Sequence, residues 1–137
     1  MTLTQFIKKY QGTKVDFDKA FGAQCVDLFR QYCFDVWNIE YTGAVEGAKE
    51  LFANYESMPT AMRYLNRTAD GLLADYSVGD VLVWGATPTN KYGHVAILVA
   101  VYNTKNFIVF EQDGFKQDGA KLVMRSRENL LGCLWKK

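Results

Sequence analysis

The sequence has 137 residues, of which 49% are hydrophobic and 15% are aromatic, and this composition excludes a disordered or low-complexity chain. A chain of this length can bury one sizeable core, so we expect a single domain over residues 1–137. Sixteen Lys and Arg residues nearly balance 15 Asp and Glu residues, which gives a net charge of +1. Such a balance provides no basic surface for phosphates, and nucleic acid is therefore not an expected partner.

Signals for targeting and for disulfide bonds are missing from the sequence. The opening MTLTQFIKKYQG lacks the basic start, apolar run and small-residue cleavage site of a signal peptide, and no apolar run is long enough to span a membrane. We therefore expect no signal peptide and no membrane partner. Cys25, Cys33 and Cys133 are an odd number without a CxxC pair, which predicts neither a disulfide framework nor a zinc knuckle and leaves at least one free thiol.

The first half of the chain predicts helices. Apolar residues at helical spacing in TLTQFIKKYQG indicate a short helix with Thr2 or Thr4 as its cap and Gly12 as its stop. The strongest helical pattern covers residues 24–38, where apolar side chains recur along one face. The segment GAVEGAKELFANY predicts a weaker helix broken by glycines, and residues 58–74 are assigned no element.

The second half of the chain predicts strands. After SVGD, polar or glycine-containing turns separate five β-branched and aromatic runs: VLVWG, HVAILVAVY, NFIVFEQ, KLVMRS and LLGCLWK. We expect these runs to form an antiparallel meander, with NTKN at residues 103–106 as a hairpin connection. Helices followed by strands give an α+β fold.

Cys25 lies where the second predicted helix begins. In the first turn of a helix, free backbone N–H groups and the positive end of the helix dipole stabilise a thiolate. A cysteine nucleophile also needs a base within hydrogen-bonding reach and a group that orients this base. His94 is the one histidine of the chain, and it opens a predicted strand directly after Gly93. A base at the start of a buried strand would be rigidly held.

Two acids are expected beside this histidine. In FIVFEQD, Glu111 and Asp113 are two residues apart and so point to the same face of an extended strand. If the strands on either side of NTKN pair in antiparallel fashion, the end of the second strand lies next to the start of the first. Glu111 and Asp113 would then lie next to His94.

Each of these residues also has an ordinary structural explanation. An isolated cysteine on an apolar helical face is usually a core residue, a lone histidine is more often structural than catalytic, and Glu111 is equally consistent with solvent exposure. Cys33 and Cys133 are assigned to the core. The case for a site is that cysteine, histidine and acid all fall where a Cys–His–acid arrangement requires them.

Four motifs, in order along the chain, resemble the CHAP domains (cysteine, histidine-dependent amidohydrolases/peptidases), which are papain-like enzymes that cut peptidoglycan. The motifs are GAQCVDL, VGDVLVW, YGHVAILV and VFEQDGF, and together they extend over residues 16–115 or so. The resemblance implies a papain-like α+β fold in which N-terminal helices pack on a C-terminal antiparallel sheet.

The same resemblance implies roles for individual residues. Cys25 is the expected nucleophile, His94 the general base and Glu111 the residue that orients His94. Asp113 stands where family members often have asparagine, and an ionised carboxylate accepts hydrogen bonds but cannot donate them as an amide does. Gln24, directly before the nucleophile, is expected to donate its side-chain amide to the developing oxyanion, beside the backbone N–H of Cys25.

The acids around Cys25 predict a Ca²⁺ site. Oxygen ligands from a tight loop suit a hard cation, although the spacing is not that of an EF-hand. The segment is similar to the calcium loop of a subset of CHAP endolysins, which implies side-chain ligands from Asp16, Asp18 and Asp27 and carbonyl ligands from Ala20 and Gly22. The ion would be structural and would hold the loop that leads into Cys25. The alternative is two solvated aspartates and a favourable acid in the first turn of a helix.

The function implied by the resemblance is cleavage of an amide bond in bacterial peptidoglycan, by an endopeptidase or an N-acetylmuramoyl-L-alanine amidase. Trp84, Tyr92 and Phe115 are expected to line a groove for an extended peptide, or otherwise to be core residues. The expected context is a phage-encoded monomer in the host cytoplasm before its release to the cell wall, or a virion-associated hydrolase, with a separate wall-binding domain or subunit left open. Two alternatives remain: a cysteine amidase or peptidase on the same scaffold with a non-wall substrate, and a non-catalytic, calcium-stabilised virion module.

Overall fold

A computed structural model of the chain describes residues 1–20 and 22–136, with Ala61 described through its backbone alone. Over these residues the fold is α+β, with the helices before the sheet in the chain, as the sequence predicts. No helix among the described residues is both long and apolar enough to cross a membrane.

The two predicted N-terminal helices are present. The first is capped by Thr2, whose side chain accepts a hydrogen bond from the Gln5 backbone N–H, while the Gln5 side chain accepts one from the Thr2 N–H. The predicted glycine-broken helix is reduced to a single short turn. The helical segments are α1 (Leu3–Tyr10), α2 (Cys25–Asp35), α3 (Glu50–Ala53), a 3₁₀ turn (Tyr55–Ser57) and α4 (Pro59–Tyr64).

One antiparallel sheet contains all five predicted strands and a sixth that was not predicted. The extra strand, β1, lies in the segment assigned no element, where the sequence LNRTA shows no clear alternation. The strands are β1 (Leu65–Ala69), β2 (Val81–Trp84), β3 (His94–Asn103), β4 (Asn106–Glu111), β5 (Lys121–Ser126) and β6 (Leu130–Lys136).

The meander prediction is correct for β2 to β5 and wrong for β6. The strand order is β1-β6-β2-β3-β4-β5, so the last strand leaves β5 and inserts between β1 and β2. The hairpin between β3 and β4 turns at NTKN as expected, with Asn103 opposite Asn106. This hairpin brings the end of β4 back beside the start of β3.

Alternate residues of the strands bury two apolar clusters, one on each face of the sheet. Phe6 of α1 and Phe29 of α2 pack with Val83 of β2 in the first cluster. Leu82 and Trp84, the neighbours of Val83, belong to the second cluster. The helix α2 packs against β3, the strand that His94 begins.

Candidate active site

Cys25 is the first residue of α2, and the local sequence explains why the helix begins there. Gln24 has extended backbone torsions, and its N–H donates a hydrogen bond of 2.9 Å to Oδ2 of Asp27, in the first turn of the helix. The Cys25 side chain is half-buried and lines a large cleft. Its thiol is free, as are those of Cys33 and Cys133, which are both buried in the core as predicted.

His94 begins β3, opposite Trp84 of β2. The glycine before it has a positive φ of 74°, and a Cβ there would approach the Trp84 carbonyl oxygen to 2.4 Å, so no other residue fits. The His94 ring centroid lies 5.9 Å from the ring centroid of Trp84. The tight turn and the neighbouring ring together fix the direction in which the imidazole projects.

Glu111 ends β4 and contacts His94, as the hairpin argument predicts. Nε2 of His94 lies 3.0 Å from Oε1 of Glu111, and the Glu111 side chain is buried. Since this contact occupies Nε2, Nδ1 is the ring nitrogen that remains for the Cys25 thiol, which raises the pKa of His94 together with Glu111. The imidazole therefore lies between a thiol and a carboxylate.

The pKa values of the pair reflect this arrangement. Burial alone would lower the pKa of His94, but hydrogen bonds and charge interactions with Cys25 and Glu111 raise it to about 9. Burial would raise the pKa of Glu111, yet hydrogen bonds from His94 and Arg125 lower it to about 2. At neutral pH the site thus favours an imidazolium beside an ionised carboxylate.

Arg125 is a residue of the site that the sequence reasoning missed. Its Nη2 lies 2.7 Å from Oε2 of Glu111, and its Nε donates to Oε1 of the same carboxylate. The alternating run KLVMRS does hold a signal, because once β5 pairs with β4, Val123 and Arg125 share the face that Val109 and Glu111 occupy. The sequence alone does not reveal that pairing.

Gln112 is a second missed residue, and it connects the acid strand to the nucleophile helix. The side chain is fully buried. Its Nε2 donates to the carbonyl oxygens of Val15 (2.7 Å) and Gln24 (2.9 Å), and its Oε1 accepts from the Val15 N–H (2.7 Å). One amide therefore ties β4 to the loop before α2 and to the residue before Cys25.

Asp113 lies outside β4, so the expectation that it shares the strand face of Glu111 is wrong. Because β4 ends at Glu111, the alternation of side chains stops there. Oδ1 of Asp113 instead accepts backbone N–H bonds from Phe115 (2.8 Å) and Lys116 (3.3 Å), which closes a turn. The residue still borders the same cleft as Cys25 and His94.

The cleft has a volume of about 1710 Å³, and Gln24, Cys25 and His94 all line it. The Gln24 side chain is exposed there and packs against Gly114. Tyr92 and Phe115 line the cleft with 44% and 70% of their surface exposed, whereas Trp84 is 6% exposed and belongs mainly to the core. All three aromatic residues thus border the cleft, with Trp84 also part of the core, and the binding of a peptide there stays a prediction.

The three aspartates around Cys25 converge. Asp16, Asp18 and Asp27 each offer a carboxylate oxygen, and these oxygens lie within 4.8 Å of one another. Burial raises the pKa of Asp27 to about 6, and the charges of Asp18 and Asp16 add to the rise, against the lowering effect of the Gln24 and Asp18 backbone N–H groups. Ala20 and Gly22 lie in the intervening loop, and the role of their carbonyls stays a prediction.

Two features of this cluster fit a hard cation. Oδ1 of Asp16 is buried and has no hydrogen-bond partner among residues 1–20 and 22–136. Arg30 contacts Oδ2 of Asp18 at 3.4 Å, a single weak ion pair that leaves most of the negative charge uncompensated. A group of carboxylates with one orphaned oxygen has the chemistry that Ca²⁺ prefers.

Solved structures with a similar fold share little sequence with this chain. The crystal structure of a wild-type endolysin, LysIME-EF1, matches with a TM-score of 0.69 at 17% identity, over 96% of this chain and 61% of that one. The structure of Ly7917 with the hydrolysing product of MDP matches with a TM-score of 0.64 at 19% identity, over 99% of this chain and 63% of that one. The chain thus spans about three fifths of these neighbours.

Comparison by sequence gives the family. No curated protein matches the chain. The model of the CHAP domain family matches residues 14–113, a range that contains Cys25, His94 and Glu111. This range covers most of the chain and includes the first three motifs on which the resemblance was based, together with the fourth up to Asp113. The chain therefore belongs to the CHAP domain family.

Proposed function

We propose that the chain is a cysteine-dependent hydrolase that cleaves an amide bond in bacterial peptidoglycan. The observation that carries the proposal is the position of His94, which interacts with the Cys25 thiol on one side and lies 3.0 Å from the Glu111 carboxylate on the other. A thiol, a base and a group that orients the base are the three components of nucleophilic acyl transfer.

In the first half of the reaction, the Cys25 thiolate attacks the carbonyl carbon of the substrate amide and forms a tetrahedral intermediate. The imidazolium of His94 then donates its proton to the amide nitrogen, the C–N bond breaks, and the amine departs. Glu111 holds the ring and stabilises its positive charge, in keeping with the raised pKa of His94. The product of this half is a thioester on Cys25.

In the second half, His94 is neutral and acts as a general base. It removes a proton from water, and the resulting hydroxide attacks the thioester carbonyl. The C–S bond breaks, the carboxylic acid leaves, and the proton held by the imidazolium restores the starting thiolate–imidazolium pair. The open cleft beside Cys25 admits this water.

The developing oxyanion needs hydrogen-bond donors close to the nucleophile. The backbone N–H of Cys25 lies in the first turn of α2, where amides have no partner within the helix. The side chain of Gln24 is exposed on the cleft directly beside it. These two donors are the candidates for stabilising the intermediate.

The substrate assignment is supported by family membership and by the shape of the cleft. A cleft of about 1710 Å³ with exposed Tyr92 and Phe115 at its walls accommodates an extended peptide. The neighbours of similar fold include an endolysin. We therefore infer an endopeptidase or an N-acetylmuramoyl-L-alanine amidase, in a phage-encoded lytic or virion-associated protein whose wall affinity a separate domain or subunit would raise.

Mass spectrometry of digested peptidoglycan tests the substrate and the bond. Purified sacculi incubated with the protein should yield muropeptides with a new free amine and a new carboxylate at one defined amide. A new amino group within the peptide or its cross-link identifies an endopeptidase, whereas separation of L-alanine from the lactyl group identifies an amidase. Sacculi that remain intact, with no released amine, would exclude a wall substrate.

The acidic cluster supports a structural Ca²⁺ site. Asp16, Asp18 and Asp27 would hold the ion, with backbone carbonyls of Ala20 and Gly22 as the proposed remaining ligands. The ion would neutralise the converging carboxylates and satisfy the orphaned Asp16 oxygen. Because Asp27 also caps the start of α2, we expect a bound ion to stiffen the backbone that presents Cys25.

Thermal unfolding with and without Ca²⁺ tests this site. At a Ca²⁺ concentration about 100 times the dissociation constant, a site present only in the folded state adds about 2.7 kcal/mol to the free energy of unfolding. The Asp16→Asn variant should lose this gain, and Asp75→Asn, at an exposed loop carboxylate outside the cluster, should keep it. A wild-type melting temperature that does not respond to Ca²⁺ would exclude the site.

A further inference from the structure

Arg125 touches Glu111 but has no part in the reaction steps described above. We propose that Arg125 is a positioning residue, whose guanidinium fixes the Glu111 carboxylate in the orientation that His94 requires. This inference rests on the proposed function, because it concerns the same site.

The contact between the two side chains is a fork. Nε and Nη2 of Arg125 reach Oε1 and Oε2 of Glu111, respectively, and Oε1 is shared with Nε2 of His94. Such two-point contact prevents rotation of the carboxylate about its last bond. The Glu111 side chain is only 2% exposed, so in the intact site its oxygens depend on protein donors. Without the fork, His94 would be the one side chain among the described residues that bonds this carboxylate.

From the register of the sheet, Arg125 is not the residue of β5 expected to contact Glu111. Lys121 is the residue of β5 directly opposite Glu111, whereas Arg125 lies opposite Phe107. Lys121 is engaged elsewhere, since its Nζ lies 2.6 Å from Oδ2 of Asp118. Arg125 therefore reaches along the sheet to a buried carboxylate that a nearer cation leaves unpaired. The longer and planar side chain is the one suited to a buried fork.

The fork also extends a line of alternating charges. Arg125 is positive, Glu111 negative, the His94 imidazolium positive and the Cys25 thiolate negative. Further charged groups act on this line, since Lys121 senses the charges of Glu111 and Asp113, and Arg125 senses that of Asp113. Arg125 therefore has two separable effects, an orienting effect through its fork and a charge effect on the imidazolium.

Two substitutions separate these effects. Arg125→Lys keeps the charge but loses the fork, so we expect kcat to fall about 10- to 100-fold while the titration of His94 stays in place. Arg125→Met loses both, so kcat should fall at least as far. In addition, His94 should titrate at a higher pH, because the positive charge of Arg125, which opposes protonation of the imidazole, is lost. KM should change little in both variants.

Arg127→Met is the matched control. Arg127 makes a related two-donor contact, in which Nε and Nη2 both donate to Oδ1 of Asp70, at 3.0 Å and 2.6 Å, and Nε also lies 3.3 Å from Oδ2, at a place remote from His94. Arg127→Met should be destabilised because it also loses a guanidinium–carboxylate contact, yet His94 should titrate in it as in the wild type. The proposal is overturned if Arg125→Met keeps the wild-type kcat, or if His94 in that variant titrates at or below its wild-type pH.

The experiment distinguishes this proposal from the proposed function. His94 is the one histidine in the sequence, so an NMR titration of the imidazole signals reports on it without substrate. If the wild-type protein fails to cleave peptidoglycan, the proposed function fails, while the titration of the Arg125 variants still decides the charge effect. If the wild type cleaves and the Arg125 variants match it, only the positioning role fails.

Discussion

His94 is the residue on which every proposed step depends, and its charge state depends on Glu111. In Glu111→Gln the imidazolium loses its negative neighbour, so the pKa of His94 should fall below about 9 and the alkaline limb of kcat/KM should move to lower pH. We expect kcat/KM itself to fall about 100-fold or more. A pH–rate profile of the variant measures both effects.

Glu40→Gln is the control for that substitution, since Glu40 is exposed and does not border the cleft. It should leave the profile unchanged. A profile of Glu111→Gln that superimposes on that of the wild type would show that Glu111 does not orient the base.

The raised pKa of His94 also predicts how stability depends on pH. Because its folded-state pKa of about 9 exceeds the ordinary value of 6.5, the folded protein binds the proton more tightly. Its contribution to the free energy of unfolding is complete below pH 6.5 and is lost as the pH rises through about 9. Urea denaturation between these pH values should show that the free energy of unfolding falls in the wild type and falls less in His94→Gln. Equal falls in the two proteins would contradict a raised pKa of His94.

The sequence predicted the proposed reacting residues because their chemistry is rare in the chain. The chain has one histidine and one cysteine at the start of a predicted helix, so few pairs of nucleophile and base are possible. Arg125 and Gln112 were missed for a different reason. Arginine and glutamine are usually solvated, and their role here comes from strand pairing and burial, which no local pattern reveals.

At the level of elements, the junction between β4 and the N-terminus of α2 sets the distance between acid and nucleophile. Gln112→Leu removes one amide that bonds Val15 and Gln24, and it leaves the buried backbone N–H and carbonyl of Val15 unsatisfied, whereas the Gln24 carbonyl keeps N–H donors from α2. We expect a loss of about 1–3 kcal/mol for each such group, measured by urea denaturation. The catalytic rate under conditions where the variant is folded should fall as well, because Cys25 loses its fixed position.

Gln5→Leu provides a comparison, since the Gln5 side chain bonds only an exposed backbone N–H at the start of α1. That variant should be mildly destabilised and fully active when folded. Full activity of folded Gln112→Leu would mean that α2 holds Cys25 in place without this connection.

The elements themselves were predicted to differing degrees. The strong 3.6-residue period of α2 and the β-branched runs of β2 to β5 were sufficient to place these elements. The strand β1 was not found, because its sequence LNRTA carries polar side chains at an edge of the sheet. Edge strands need little apolar surface, so they give a weak sequence signal.

At the level of the whole molecule, β6 joins β1 to the rest of the sheet. Gly132 of β6 has a φ of 153°, and a Cβ there would approach the Thr68 carbonyl oxygen to 2.1 Å. Gly132→Ala should therefore separate β1 from β6 and lower the free energy of unfolding by about 1–3 kcal/mol or more. Gly71→Ala, at a position with no atom within 4 Å of the added carbon, should be nearly neutral. Equal stabilities in thermal unfolding would contradict this account of the sheet.

The crossover of β6 could not be predicted because periodicity identifies strands but not their partners. The hairpin at NTKN could be predicted because a short local turn connects its strands. The pairing of the last strand with β2 depends instead on long-range packing. The site was nevertheless predictable, since the β3–β4 hairpin that carries His94 and Glu111 is the local part of the sheet.

The most direct test of the account is the rate of amide cleavage in purified sacculi by Cys25→Ala, compared with the wild type and with Cys33→Ala. Cys33 lies on the same helix but is buried in the core, so its replacement lowers stability without touching the cleft. The account predicts that Cys25→Ala releases no amine above background while folded Cys33→Ala cleaves at a rate close to that of the wild type. Cleavage by Cys25→Ala at the wild-type rate would contradict it.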